Sequence, residues 1–148
     1  MVQPVIAGIH HLKFPVADFE LSIAFYEQVF GARRLSALDH RKPNGELFAV
    51  ILEVPRLGTQ LELRLNAEAA RAQQGFDPVT LAVATLEDLR AWETHLSAHN
   101  VPHSPVLTGM KGWLVVLEDP DGRHIRFYTL ETHGPELAVS THARWLGS

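Results

Sequence analysis

The sequence predicts an α+β chain built from two successive βαβββ modules. Two amphipathic helical runs, Glu20–Phe30 and Leu86–His99, carry that prediction, because each follows one strand-like segment and precedes three more. An offset of 67 residues lays the second run on the first, placing Val83 on Val16, Leu86 on Phe19, Trp92 on Phe25 and Leu96 on Val29. Few residues are identical, so the repeat is one of pattern.

Ile9–Val16 reads as the opening strand, and Asp18 as the N-cap of the helix behind it. Leu21, Ala24, Phe25, Val29 and Phe30 recur at helical spacing, and Gly31 closes the run as a C-cap. Strands are then expected near Arg33–Leu38, Leu47–Val54 and Gln60–Leu65. Lys42-Pro43-Asn44-Gly45 turns between the first two, and Pro55 to Gly58 separates the last two.

The pattern restarts with a strand at Val79–Val83, Thr85 as N-cap, and a helix with Leu89, Trp92 and Leu96 on one face. Asn100-Val101-Pro102 ends it. Strands follow at His103–Thr108, Trp113–Glu118 and His124–Leu130, the last two joined through Asp119-Pro120-Asp121-Gly122. The expected organisation is one domain over residues 1–148: module 1 at about 8–65, a partly helical linker at 66–76, module 2 at about 77–130, and a tail at 131–148. Leu137, Val139, Trp145 and Leu146 make that tail too apolar for a free end. It is expected to cover a partner subunit or to flap over a ligand cavity.

Composition narrows the function. At 46% hydrophobic and 20% charged residues the chain is an ordinary globular one, and a net charge of −4 gives no reason to expect nucleic acid or an anionic membrane. With no cysteine there is no disulfide or thiolate chemistry, and a metal would need His, Asp, Glu or water. No apolar run reaches the length of a membrane span, and the N-terminal residues lack a signal-peptide pattern, so a cytoplasmic location is expected. Ser22, Ser36 and Ser104 lie in no Gly-x-Ser-x-Gly elbow, and there is no phosphate loop.

Three stretches carry a family resemblance: His11-Leu-Lys-Phe-Pro-Val16-Ala-Asp18 running into Phe25-Tyr26-Glu27-Gln28-Val29-Phe30-Gly31, then Gly58-Thr-Gln-Leu-Glu62-Leu63, then Glu118-Asp-Pro-Asp-Gly122-Arg-His-Ile125. In these the chain resembles the vicinal-oxygen-chelate superfamily of glyoxalases, bleomycin-resistance proteins and extradiol dioxygenases. The resemblance implies modules that form a cupped mixed sheet around a small-molecule cavity, and a homodimer. In enzymes of the group, ligands on the first and last strand of each module hold a divalent metal that acts as a Lewis acid.

Carried onto this sequence, the four ligand positions fall on His11, Glu62, Pro78 and Arg126. His11 and Glu62 have suitable donors. Pro78 has none, and Arg126 is a fixed cation that repels a divalent ion. No metal is therefore favoured; a Zn, Fe, Mn or Ni ion would rest on His11 and Glu62. An Arg126–Glu62 ion pair is expected in its place, although a shift of one or two residues would bring His124 onto the ligand face instead.

Strand alternation puts Ile9 and Lys13 with His11, Gln60 and Arg64 with Glu62, and His124 and Tyr128 with Arg126. Lys13, Arg64, His124, Arg126 and Tyr128 are thus the expected contacts of an anionic or aromatic small molecule, and His11 and Glu62 the candidate catalytic groups. Phe25, Tyr26, Trp92 and Trp113 are expected in the core. Of nine histidines, His40, His95, His99 and His103 share no ligand spacing. The expected function is small-molecule binding of the glyoxalase and bleomycin-resistance type. Alternatives are a lyase, isomerase or dioxygenase using His11 and Glu62, or an interaction module whose cavity is filled.

Overall fold

The computed structural model describes residues 2–135 and 137–147. The chain divides into two compact units between Ala67 and Glu68. Each holds one mixed sheet, so the fold is α+β with two βαβββ modules. No helix among the described residues is long and apolar enough to cross a membrane.

In the first unit β1 (His11–Val16) leads through Asp18 into α1 (Phe19–Phe30). Asp18 caps the helix by accepting a hydrogen bond from the Leu21 N–H at 3.1 Å. Gly31 ends it at φ 67°, where its N–H donates to the Glu27 carbonyl. β2 (Arg33–Arg34), β3 (His40–Arg41), β4 (Leu47–Glu53) and β5 (Gln60–Leu65) follow. The sheet order is β1-β5-β4-β2, with β3 also on β4. β1 runs parallel to β5 at the sheet edge, where Pro15 costs no central ladder bond.

Register explains the layering. Phe14 lies beside Leu63, which lies beside Val50; Leu12 lies beside Leu61 and Leu52. This apolar face meets Tyr26 and Val29 of α1, both buried, with the Phe14 and Tyr26 rings 6.2 Å apart. The opposite face carries His11, Lys13, Gln60, Glu62 and Arg64.

Two expected strands come out shorter. Ile9 and His10 stay outside β1, because β5 offers no partner before Gln60. The strand expected at Arg33–Leu38 stops at Arg34, whose guanidinium forks onto Asp39 at 2.6 and 3.1 Å and closes a 3-10 turn over Ser36–Leu38.

In the second unit α2 (Ala67–Ala72) precedes β6 (Val79–Val83), α3 (Leu86–Ala98), β7 (Leu107–Thr108), β8 (Trp113–Glu118), β9 (His124–Thr129) and α4 (Ala143–Leu146). The order is β6-β9-β8-β7 with β6 parallel to β9. Thr85 and Asp88 close a reciprocal capping box on α3. Leu89 and Leu96 are fully buried, and Trp92 stacks on Phe127 at 4.4 Å. The strand expected at His103–Thr108 is interrupted at Pro105, which has no N–H to donate; only a bridge from His103 to Leu117 precedes β7.

The β8–β9 turn is locked from inside. Asp119 accepts from the Asp121 and Arg123 N–H groups, and its second oxygen pairs with the wholly buried Arg123 guanidinium at 2.5 Å. Arg123 Nε also donates to Gln73 at 2.8 Å, which ties the segment after α2 to the turn.

The end of the tail packs on its own unit, while Leu137 and Val139 stay 44% and 49% exposed. Trp145 is 4% exposed and packs on Leu107, Leu114 and Val116 of its own unit. Phe127 faces α3, so Leu114, Val116 and Tyr128 stand on the other side of this sheet, and α4 covers that side.

Candidate functional site

The polar face of the first sheet gathers four basic side chains around one carboxylate. Glu62 sits in mid-β5, flanked by Lys13 on β1 and Ile51 on β4, and is only 3% exposed. Its Oε1 lies 3.4 Å from His11 Nε2 and 4.0 Å from His40 Nε2. Its Oε2 accepts from Arg64 Nε at 2.9 Å and lies 3.9 Å from Lys13 Nζ. The bases are far more open: 31% for His11, 39% for His40, 40% for Arg64 and 49% for Lys13. A buried acid thus holds an accessible ring of bases. One carboxylate against two permanent cations leaves a positive excess before either imidazole is protonated.

Hydrogen bonding orients the rings. His40 Nδ1 donates to the Leu38 carbonyl at 2.8 Å, so Nε2 is the nitrogen turned to Glu62. His11 points Nε2 at Glu62, and its Nδ1 lies 2.9 Å from Nδ1 of His10. The His10 carbonyl accepts from the Thr59 hydroxyl at 2.6 Å, which fixes the chain entering β1. Phe48 supplies an apolar wall: the Arg64 guanidinium lies 5.4 Å over its ring, and His40 meets it edge-on.

His40 is the member that sequence spacing missed. The Lys42–Gly45 turn pairs Arg41 with Leu47, and an unbroken ladder would then set His40 opposite Phe48. A register shift between His40 and Arg41 sets it opposite Ala49 instead, on the Glu62 face. One residue of slip reverses which face a side chain takes. The turn signal showed the hairpin, but not the bulge.

The second module's set is placed differently. His124, Arg126 and Tyr128 do share one face of β9, but each already has a partner. His124 is 7% exposed, with Nε2 3.4 Å from Glu118 and its ring beside Trp145. Arg126 is paired with Asp77. The Tyr128 hydroxyl accepts from the N–H groups of Lys111 and Gly112 at 3.0 and 3.3 Å. Where a Glu62–Arg126 pair was expected, each residue has partners within its own unit.

The family model described as the Glyoxalase/Bleomycin resistance protein/Dioxygenase superfamily matches residues 8–127. The chain belongs to that superfamily. No curated protein matches it in sequence. Among solved structures, a glyoxylase/bleomycin resistance protein/dioxygenase domain from Frankia sp. EAN1pec is similar at TM-score 0.67 and 17% identity, over 84% of this chain and 98% of that one. TnmS3, an antibiotic binding protein from Streptomyces sp. CB03234, is similar at TM-score 0.64 and 18% identity, over 86% and 98%. A mutant of the fosfomycin resistance protein FosX from Listeria monocytogenes, complexed with Mn(II) and a dihydroxypropylphosphonic acid, is similar at TM-score 0.66 and 14% identity, over 84% and 90%. Identities this low speak for the shared glyoxalase-type fold alone.

The residues around Glu62 do not fit a divalent metal of the kind this superfamily uses. His11 and Glu62 stand together on neighbouring strands, but the second carboxylate oxygen faces Lys13 and Arg64. Two fixed positive charges within 4 Å of the would-be ligand oppose a further double charge. Among the described residues, no group of three or more His, Cys, Asp or Glu stands in a metal-holding arrangement.

Proposed function

We propose that this glyoxalase-type chain binds a small organic anion on the polar face of its first module, without a metal. The observation that carries this is the ring of His11, Lys13, His40 and Arg64 about the single buried acid Glu62. Lys13 and Arg64 grip the anionic oxygens, Arg64 through its planar fork, and Phe48 beside Arg64 takes an apolar part. His124, Arg126 and Tyr128 are left out, because each already has a partner within the second module. The antibiotic-binding neighbour TnmS3 supports binding as a use of this fold.

Calorimetric titration with phenylphosphonate, an organic dianion, tests the proposal. Lys13→Met and Arg64→Met should each weaken binding about tenfold, the worth of one charge-assisted contact. Unchanged affinity in both variants refutes it, and binding that appears only when Mn(II) or Zn(II) is added refutes its metal-free part.

One observation favours a second reading, a metal-free enzyme. A buried carboxylate faces one nitrogen of His11 while the other meets His10 Nδ1, so a proton taken up by the His10–His11 pair would be stabilised by Glu62. His11→Gln would then abolish turnover of a bound anion while sparing its binding. A homodimer belongs to the proposal as well. Val2, Val5, Ile6 and Ile9 are 71–91% exposed, an apolar segment that association would cover. Light scattering should give twice the chain mass.

A further inference from the structure

We infer that the second module holds a binding site for a flat aromatic molecule beneath its own C-terminal strap, with the Trp145 indole as resident occupant. The floor is Leu107, Leu114 and Val116, none more than 6% exposed, and Tyr128 packs against its edge. The His124 ring lies 5.3 Å from the indole at 40° and makes a second aromatic wall. By the module repeat this is the counterpart of the Glu62 face: Arg126 holds the place of Glu62 on the last strand, with His124 and Tyr128 at those of Gln60 and Arg64. One module opens that face to solvent through charged side chains; the other fills it with an indole.

Among the described residues, the strap that carries the occupant has little regular structure. α4 has four residues and no side-chain cap. Residues 137–142 contain no helix or strand, and among the described residues a reciprocal pair between Ser140 and Thr108, both bonds 2.9 Å, links them to the sheet. Arg144 stacks on the indole at 4.4 Å and reaches Glu118 at 3.7 Å, and its side chain is 59% exposed. Such a short, locally bonded segment opens at a small fraction of the free energy of global unfolding. Once it opens, the vacated surface is apolar, walled by rings and shaped for a bicyclic aromatic.

The residues of this site all belong to the second unit, and those of the anion-binding face to the first. The full chain labelled with 5-fluorotryptophan gives one fluorine line for each of its three tryptophans. During titration with indole, the Trp145 line should move to a solvent-exposed position while that of Trp92 in the α3 contact stays. Trp145→Ala should bind one indole per chain at least about tenfold more tightly than the wild type, having no occupant to expel. If Trp145→Ala does not fold, the wild-type titration decides alone. A Trp145 line unmoved by saturated indole, or a folded Trp145→Ala that binds no better than wild type, overturns the inference. Phenylphosphonate affinity measured on the same samples reports separately on the first module.

Discussion

Replacing Glu62 by glutamine keeps the shape of the side chain and removes the charge that holds four bases together. Lys13 Nζ and Arg64 Nε lie 3.9 and 2.9 Å from the carboxylate, and each of these side chains is nearly half exposed. Both can rehydrate, so the loss in stability is small, about 1 kcal/mol, or roughly 2–4 °C in melting temperature. The effect on an anion is larger and opposite in sign. An anion gripped by these cations lies about 5–6 Å from the carboxylate, where like-charge repulsion is about 1–3 kcal/mol at effective dielectrics between 80 and 20. Glu62→Gln should therefore tighten phenylphosphonate binding by at least about fivefold, read by calorimetry at fixed ionic strength. A carboxylate that held a metal for the ligand, or accepted a proton from it, would give the reverse. Weakened or unchanged binding in Glu62→Gln refutes the picture of Glu62 as an internal counter-ion.

Other outcomes follow from packing and caps. Asp119→Ala strands the wholly buried Arg123 guanidinium and should cost about 3–5 kcal/mol, seen as a denaturation midpoint shifted far to lower denaturant. Trp92→Ala removes the partly buried ring stacked on Phe127 and should cost about 2–3 kcal/mol by the same measurement. Thr85→Ala opens the capping box of α3 and should cost about 1 kcal/mol, whereas Thr85→Ser should cost little. Gly122→Ala should cost at least about 1 kcal/mol, because φ there is 77° and the new methyl would meet Gln74 Cγ at 2.9 Å.

Much of the fold was legible because local chemistry and burial agree. Asp18 and Thr85 cap where their side chains permit, Gly31 takes the left-handed turn, and Gln60–Leu65, Val79–Val83 and Trp113–Glu118 form strands over the spans their residues mark. The family resemblance marked His11 and Glu62, and strand parity added Lys13 and Arg64; the structure brings all four together. What was hidden rests on interactions distant in sequence or on slips of one residue. The Arg34–Asp39 fork shortened a strand, and the shift beside His40 added an imidazole. The tail's apolar residues showed that it packs, but not that its support is the sheet of its own module.

The bulge beside His40 makes hairpin length a control on the site's chemistry. A change in the hairpin that slipped β3 by one residue along β4, setting His40 opposite Phe48 or Val50, would rotate the imidazole toward α1, out of reach of Glu62, while every other base kept its place. The chemistry of this pocket could then be retuned by loop surgery alone, with no substitution at any residue that lines it.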